Sequence, residues 1–312
     1  MRQVSGEWRL RVILFTVCVF NRLVSGGSRS PVEHLDLDDN SVTVGGAHAC
    51  ALERVDELSV GGEIVCWGDA SAGTLDSPGG LYVQLSSSGS ATCGVSVEQR
   101  VACWGGGAGG RYLVLGVHDA LGTAARSQVS IGARHACALA SHGGHATCWG
   151  DDSQGQVSRA PTKGGVAQVS CGGDACCTLS IAAGSAASGF ALGCWGAADG
   201  GLVADLPAGP FLQVSVAADG HACAIAADFR LWCWGSFVSP MGGAQSWNGT
   251  FVQVAAAEGV SCALRADGTV LCLGEERRLW SGRATRGVVI KAGEKERLPP
   301  PRNMQFSEIS AQ

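Results

Sequence analysis

Residues 251–274 read FVQVAAAEGVSCALRADGTVLCLG, and this stretch decides the fold. Val252 and Val254 flank a polar residue, which is the apolar–polar alternation of a half-buried strand. Gly268 closes a short Asp-Gly turn between two further apolar runs. Because glycine adopts positive φ at little cost, it suits a hairpin turn. The stretch therefore predicts three consecutive antiparallel strands.

The two cysteines of this stretch occupy opposite sides of the predicted hairpin. Centring the turn on Asp267 places Cys262 directly opposite Cys272. Facing residues of an antiparallel pair lie about 4.5–5.5 Å apart at Cα, which is within disulfide range. The spacing therefore predicts a bridge across the second and third strands. A pair of buried thiols is the alternative, since a free cysteine behaves as a small hydrophobe.

The same pattern recurs in six copies along the chain. Each copy ends on Cys-Trp-Gly, except the sixth, where leucine replaces the tryptophan. The candidate disulfide pairs are Cys50 with Cys66, Cys93 with Cys103, Cys137 with Cys148, Cys177 with Cys194, Cys223 with Cys233, and Cys262 with Cys272. Cys171 and Cys176 remain and are predicted to form a seventh pair. Short-stranded units of about forty residues predict an all-β propeller, since one small sheet cannot bury its own face.

At these residues the chain resembles the regulator-of-chromosome-condensation repeat family. The third copy carries the pattern in Gly132, His135, Cys137, Ala138, Leu139, Cys148, Trp149 and Gly150. The resemblance covers residues 41–274. Its cysteine-paired form is similar to secreted bacterial propellers and to the ectodomains of CRINKLY-type plant receptor kinases. It implies a β-propeller of six complete repeats plus a first strand of a seventh, with six or seven blades.

The first residues have the features of a signal peptide. Arginines precede a short apolar run over 12–20, and small residues near Gly26 suit cleavage. The run is shorter than the roughly 20 residues that span a bilayer. We therefore predict a signal peptide over 1–26, a secreted protein and no membrane span in this chain; a buried strand or a membrane anchor is the alternative.

Secretion agrees with two other features of the sequence. Removing Cys18 with the signal peptide leaves an even number of cysteines, as a disulfide framework in an oxidising compartment requires. Asn248 begins an Asn-Gly-Thr sequon and is the predicted glycosylation site.

The remaining segments flank the repeats. We expect an N-terminal segment over 27–40, the propeller over 41–274, and a basic linker or long loop over 275–303. Residues 304–312 contain Phe306-Ser307-Glu308-Ile309-Ser310, which is similar to the first strand of another copy. This piece either belongs to an incomplete ectodomain or closes the ring against residues 30–40.

The sequence predicts no catalytic, cofactor or metal site. His48, His135 and His221 occupy equivalent positions in different copies, so we expect structural hydrogen bonds instead of a converging ligand set. The cysteines lack zinc-site spacing. The repeated tryptophans are predicted to pack between blades, whereas Trp232 and Trp247 fall outside the repeat and are expected to be exposed.

The net charge of −5 argues against a nucleic-acid surface, which needs a basic stripe. We predict a non-enzymatic, extracellular protein-binding or receptor-like module for a protein or peptide. Irregular loops over 53–63, 113–126, 180–193 and 236–250 are the binding candidates, because function concentrates on loops held by a scaffold. The alternatives are a secreted enzyme inhibitor and an intracellular guanine-nucleotide exchange factor-like scaffold.

Overall fold

The computed structural model describes residues 37–55, 60–107, 116–117, 119–181, 189–197, 201–236, 243–274 and 288–291. The predicted signal peptide over 1–26 and the strand predicted within 304–312 lie outside these residues. Parts of all four candidate loops do so too. Among the described residues, no helix is long and apolar enough to cross a membrane.

The described residues form five antiparallel sheets that follow one another along the chain. Four of them correspond to single sequence copies, and a seven-stranded sheet joins copies four and five where Phe190 and Ala191 pair with Phe211 and Pro210. The first three blades contain β1 (Leu37–Val44), β2 (His48–Glu53), β3 (Glu63–Gly68); β4 (Tyr82–Ser88), β5 (Ala91–Ser96), β6 (Val101–Gly105); β7 (Arg126–Ile131), β8 (His135–Ala140), β9 (Ala146–Gly150). The next three contain β10 (Val166–Gly172), β11 (Ala175–Ser180), β12 (Phe190–Gly196); β13 (Pro210–Val216), β14 (His221–Ala226), β15 (Leu231–Gly235), β16 (Gln245–Trp247); β17 (Phe251–Ala257), β18 (Val260–Arg265), β19 (Thr269–Gly274), β20 (Val288–Lys291). The predicted all-β class and the six copies are confirmed.

Two strands lie outside the predicted three-strand pattern. β16 and β20 each pair antiparallel with the third strand of their blade and add a fourth strand. β20 falls within the segment expected to be a linker or long loop over 275–303, and β1 begins inside the expected N-terminal segment over 27–40. Neither β16 nor β20 contains a cysteine, so the cysteine pattern from which the copies were recognised did not predict these two strands.

Disulfides join the second and third strands of all six blades. Cys262 lies opposite Cys272 in the register of β18 and β19, as the hairpin centred on Asp267 requires. The Cα atoms of the paired cysteines are 4.0–4.1 Å apart in these six bridges. A seventh bridge, Cys171–Cys176, joins the first and second strands of the fourth blade.

Three of the repeated tryptophans, Trp104, Trp195 and Trp234, donate a hydrogen bond to the connection that precedes their blade. The indole Nε1–H of Trp104 donates to the Thr74 carbonyl at 3.1 Å, and that of Trp234 donates to the Leu202 carbonyl at 2.9 Å. This agrees with the predicted packing role. Trp232 and Trp247 are half-buried against apolar clusters, so the expectation that they are exposed was wrong.

Side-chain hydrogen bonds join the first strands of consecutive blades. In each case a glutamine Oε1 accepts the backbone N–H of an apolar residue in the next first strand. These bonds, 2.8–3.0 Å long, join Gln84 to Val129, Gln128 to Val169, Gln168 to Val214 and Gln213 to Val254. We call this repeated arrangement the glutamine ladder.

A parallel row of serine bonds lies two residues further along the same strands. Ser86 Oγ accepts the Ile131 N–H at 3.2 Å, and Ser215 Oγ accepts the Ala256 N–H at 2.9 Å. The equivalent bonds of Ser130 and Ser170 are 2.8 Å and 3.0 Å long. The polar residues of the first strands therefore register one blade against the next.

We predict that the longer-loop disulfides contribute more stability than the short one. On the loop-entropy model, replacing Cys177 and Cys194 by alanine, which opens a 17-residue loop, costs about 3 kcal/mol. Replacing Cys171 and Cys176, separated by 5 residues, costs about 2 kcal/mol. Urea unfolding of the two double variants and the parent chain measures the difference. Equal losses of unfolding free energy in the two variants would contradict the explanation that these disulfides stabilise the fold by restricting the unfolded chain.

Candidate functional site

Each blade presents two ends, which we define by their connections. The turn face carries the connections between first and second strands, and the loop face carries those between second and third strands. On the turn face, Asp219 Oδ2 accepts the Gly259 N–H of the next blade at 2.6 Å. On the loop face, the Phe251 N–H donates to the Phe229 carbonyl of the preceding blade at 2.9 Å. Corresponding ends of neighbouring blades therefore lie side by side.

The loop face collects the exposed apolar side chains of the described residues. Large hydrophobic residues with high exposure are Val55 (58%), Val60 (75%), Ile181 (69%), Leu212 (40%), Phe229 (44%) and Val252 (44%). All six follow a second strand or lie at the start of a first strand, which is the same end of the blade. We call the four in blades four to six, Ile181, Leu212, Phe229 and Val252, the apolar sector. Because apolar surface is where many interaction sites form, the loop face is the candidate interaction surface.

Leu212 and Val252 are exposed because each occupies a β-bulge. The pairing register shifts between Phe211 and Gln213, and again between Phe251 and Gln253. A bulged residue has no cross-strand partner and its side chain is re-aimed. In blades three and four the same bulge holds the small residues Ser127 and Ala167.

Phe229 lies at the tip of its hairpin in an unfavourable backbone conformation. Its φ is 63°, a value at which the equivalent turn of blade six uses Gly268, with φ of 85°. A non-glycine residue in the left-handed region costs about 1–2 kcal/mol, and bulky residues are uncommon there. Strain of this kind concentrates at functional positions. An exposed aromatic held in it is the strongest single candidate for a contact residue.

Charged residues beside Phe229 are paired with each other. Arg230 Nη2 lies 2.6 Å from Asp228 Oδ2. The side-chain hydrogen bond from Arg230 lowers the pKa of Asp228, and the same bond raises the pKa of Arg230. Since both side chains are about half exposed, the pair adds little to stability. Its effect is to leave the tip locally neutral.

The turn face differs in being acidic. Asp69, Asp151, Asp174 and Asp219 lie there, and Arg134 pairs with Asp151 at 2.9 Å. Burial would raise the pKa of Asp219, but the hydrogen bond from His221 and the attraction of that ring bring the pKa below its usual value. The carboxylate of Asp69 accepts bonds from Ser71, and that of Asp151 accepts bonds from Ser153. These carboxylates therefore order local turns.

The repeated histidines make structural hydrogen bonds, as predicted, and the structure shows that these bonds cross to the neighbouring blade. His48 Nε2 is hydrogen-bonded to Thr92 Oγ1 at 2.7 Å, and His221 Nε2 to Ser261 Oγ at 2.7 Å. At the third position His135 Nε2 lies 3.0 Å from Cys176 Sγ. Burial lowers the pKa of His48, and it lowers the pKa of His135 to about 4.

His135, Cys171 and Cys176 form a buried group that sequence reasoning missed. Their potential ligand atoms lie within 4.8 Å of one another. Because Cys171 and Cys176 are bonded to each other, neither sulfur is a free thiolate ligand. Cys176 occupies the position of Thr92 and Ser261, and this departure from the repeat was the available signal. We interpret the His135–Cys176 contact as equivalent to the histidine–hydroxyl hydrogen bonds of the other blades, with a disulfide sulfur in place of the hydroxyl.

Of the remaining predicted sites, Asn248 lies on an exposed stretch between β16 and β17. This placement is accessible to a glycan and leaves the glycosylation prediction open. It is near the start of β17, where Val252 belongs to the apolar sector. Of the apolar sector, only Ile181 lies in a candidate loop, the one over 180–193. Sequence reasoning missed Leu212 and Val252 because they lie at bulges within strands, and it missed Phe229 because that residue lies in a short hairpin turn.

The chain is similar to known proteins built from the same type of repeat. A model of the regulator of chromosome condensation (RCC1) repeat matches residues 127–156. The ectodomain of receptor kinase CR4 from Physcomitrella patens superposes with a TM-score of 0.61 at 25% identity, covering 76% of this chain and 64% of that one. The chain thus spans less than two thirds of the length of that ectodomain. No curated protein matches the chain by sequence.

Two more distant structures share the fold alone. Prp20p from Saccharomyces cerevisiae has a TM-score of 0.57 at 18% identity, covering 79% of this chain and 74% of its own. Human WBSCR16 has a TM-score of 0.61 at 14% identity, covering 82% and 83%. The predicted propeller is confirmed, and the cysteine pairs agree with the CRINKLY-type resemblance.

We predict that Phe229→Gly stabilises the fold. Glycine removes the left-handed strain at φ 63°, and the gain is up to about 1 kcal/mol after the greater entropy of unfolded glycine is subtracted. Gln99→Gly, at φ 61° in the equivalent turn of blade two, is the matched control and is expected to behave alike. Urea unfolding measures both. Destabilisation confined to Phe229→Gly would show that the Phe229 side chain contributes to packing.

We also predict that His135 makes the fold sensitive to acid. In the unfolded chain the His135 ring binds a proton below about pH 6.5, whereas in the folded chain the same ring stays neutral until the pH falls to about 4. The stability present at pH 7 is therefore lost as the pH falls through this window, by about 2 kcal/mol at pH 5. His135→Gln should flatten that part of the pH dependence, and the exposed control His142→Gln should not. Parallel urea titrations at pH 7 and pH 5 decide this.

Proposed function

We propose that this chain, a β-propeller of regulator-of-chromosome-condensation repeats, is an extracellular, receptor-like module that binds a protein or peptide without catalysis. The apolar sector of the loop face is the binding surface. The observation that carries the proposal is Phe229, an aromatic that is 44% exposed at a strained hairpin tip.

The chemistry of the sector favours a partner with apolar side chains. Leu212, Phe229 and Val252 offer aliphatic and aromatic surface, and the neighbouring Arg230 and Asp228 neutralise each other. Interface cores are depleted of net charge and enriched in aromatic residues. A rim charge would therefore contribute less to affinity than the apolar contacts do.

The extracellular part of the proposal has two supports. Disulfides persist in oxidising compartments and are rare in the cytosol, and the described residues contain one in every blade. The CR4 ectodomain from Physcomitrella patens resembles the chain at 25% identity. Prp20p, for which binding to Gsp1p and histones is described, shares only the fold, so an exchange-factor role receives little support.

A secreted enzyme inhibitor is the alternative use of the same surface. A projecting aromatic such as Phe229 also suits insertion into a cleft, because buried aromatic anchors dominate many interfaces. The two functions differ in what the partner does. An inhibitor lowers the activity of an enzyme that it binds, whereas a receptor module does not.

The test is to display the secreted, oxidised chain and screen it against extracellular proteins and peptides. We expect the double variant Leu212→Ser/Val252→Ser to weaken the binding that is found by about tenfold or more, since each buried contact at a hot spot contributes about 1–2 kcal/mol. Val60→Ser is the matched control, because Val60 is an exposed loop-face valine outside the sector. The Val60→Ser variant should bind the same partner with unchanged affinity.

Equal losses in the control and the double variant would contradict the assigned surface. Undiminished binding by the double variant would show that the partner binds outside the apolar sector. A partner enzyme that loses activity on binding would support the inhibitor alternative.

A further inference from the structure

The loop-face end of blade three contains a buried arginine that no carboxylate of the described residues neutralises. Arg126 lies at the start of β7 and is 6% exposed. Within the described part of the chain its side chain makes one hydrogen bond, from Nη1 to Thr147 Oγ1 at 3.0 Å. Its Nε–H group is shielded from solvent and has no hydrogen-bond partner. Because a guanidinium carries several N–H donors and stays charged in proteins, both its charge and most of its donors lack a partner.

A second polar group without a partner lies beside Arg126. Ser141 Oγ is also shielded from solvent and makes no hydrogen bond. The backbone holds the two residues close together, because Arg126 lies opposite Ala140 in the register of β7 and β8, and the Ser141 N–H donates to the Ala125 carbonyl at 3.1 Å. Buried polar side-chain atoms are nearly always hydrogen-bonded. Two neighbouring exceptions therefore call for an acceptor that comes from outside the chain.

Blade three departs from the repeat at all three of these positions. In blades two, four, five and six, the residues equivalent to Arg126 are uncharged and buried: Tyr82, Val166, Phe211 and Phe251. The residues equivalent to Ser141 are Val97, Ile181, Ala227 and Ala266. The residues equivalent to Thr147 are Ala102, Gly193, Trp232 and Leu271. Since the other blades form without a cation or hydroxyls at these places, the fold itself does not require them in blade three.

The chemistry of these side chains selects a carboxylate. A guanidinium presents parallel N–H groups that match the two oxygens of a carboxylate, and such charge-assisted hydrogen bonds are short and strong. A carboxylate balances the single positive charge of Arg126, whereas a phosphate dianion would leave an excess of negative charge in a partly buried place. Ser141 and Thr147 are half-buried, which places the group at the surface of the blade.

We propose that Arg126, Ser141 and Thr147 form a carboxylate-binding site at the loop-face end of blade three. The carboxylate accepts hydrogen bonds from the unpaired N–H groups of Arg126 and from the Ser141 hydroxyl, while Thr147 holds the guanidinium in place. The ligand is an acidic side chain or chain terminus of a peptide, or a small free acid. The site lies outside the apolar sector, so it stands or falls separately from the function proposed for that surface.

Titration of the secreted, oxidised chain with sodium acetate tests the site, and sodium chloride at the same concentration is the reference for ionic strength. The Arg126 Nε–H signal of arginine-labelled protein in the ¹⁵N NMR spectrum should shift and then saturate. About 0.1 M acetate fills roughly nine-tenths of a site whose Kd is about 10 mM. Acetate should also raise the urea midpoint above its value in chloride, because a ligand that binds only the folded chain stabilises it.

A triple variant separates a binding role from a structural one. Arg126→Leu/Ser141→Ala/Thr147→Ala gives blade three the apolar character of the other blades. Its urea midpoint in chloride should equal or exceed that of the parent chain, since replacing buried charge by apolar side chains is often neutral or stabilising. Acetate should no longer raise that midpoint. Arg100→Leu is the matched control and should keep the full acetate effect, because Arg100 is an exposed arginine on the loop face of blade two.

The single variant Ser141→Ala keeps the test available if the triple variant fails to fold. We expect it to raise the Kd for acetate about tenfold, the loss that corresponds to one hydrogen bond to a charged group. The Arg126 Nε–H signal again gives the Kd, since Ser141→Ala leaves the guanidinium in place.

Two short peptides identify the source of the carboxylate. One carries a glutamate between blocked ends, and the other has a free C-terminus and no acidic side chain. The peptide that shifts the Arg126 signal at the lower concentration shows which source the site accepts, and binding no tighter than that of acetate indicates a small acid. Each of these results supports the site.

Two results would overturn the proposal. One is an Arg126 signal that responds to acetate no more than it does to chloride, because the unpaired donors would then bind enclosed water alone. The other is an acetate effect of full size in the triple variant, because the anion would then act elsewhere on the chain.

Discussion

The structure depends on the hydrogen bonds that join the first strand of one blade to the first strand of the next. A three-stranded sheet cannot bury both of its faces, so each blade is stable only when it is packed between neighbours. Gln84 and Ser86 hold blade two against blade three, and the same two positions recur at later junctions. Because these bonds are made by side chains to backbone N–H groups, they set the register between neighbouring blades. Among the described residues, only blades four and five also pair strands with each other, where Phe190 lies opposite Phe211.

The ladder explains where the molecule can vary. Disulfides and glutamine bonds fix the middle of each blade, while hairpin tips and bulges at the loop face carry no such bond. Blade three places Ser127 at the bulge and blade six places Val252 there, with the same ladder bonds on either side. The scaffold thus tolerates a change from a polar to an apolar surface within one strand. The tip at Phe229 shows the same freedom, since its counterpart in blade six is Gly268.

Much of the fold could be predicted because its signals are local. The spacing of Cys262 and Cys272 around Asp267 specified a hairpin, and the hairpin specified which residues face each other. The blade-packing role of the tryptophans followed from their fixed place in the repeat. Trp232 and Trp247 have no such place, and only the packing of blades five and six showed that both are half-buried. The added strands β16 and β20 escaped prediction for a related reason, since they carry no cysteine.

The sequence by itself determined the repeat, the cysteine pairing and the all-β class, because each rests on contacts between residues close together in the chain. Only the tertiary structure decided the apolar sector and the His135–Cys176 contact. Each of these joins residues about forty positions apart or depends on which side of a blade a bulge exposes. Such relations are set by the packing of one blade on the next, which no single copy contains.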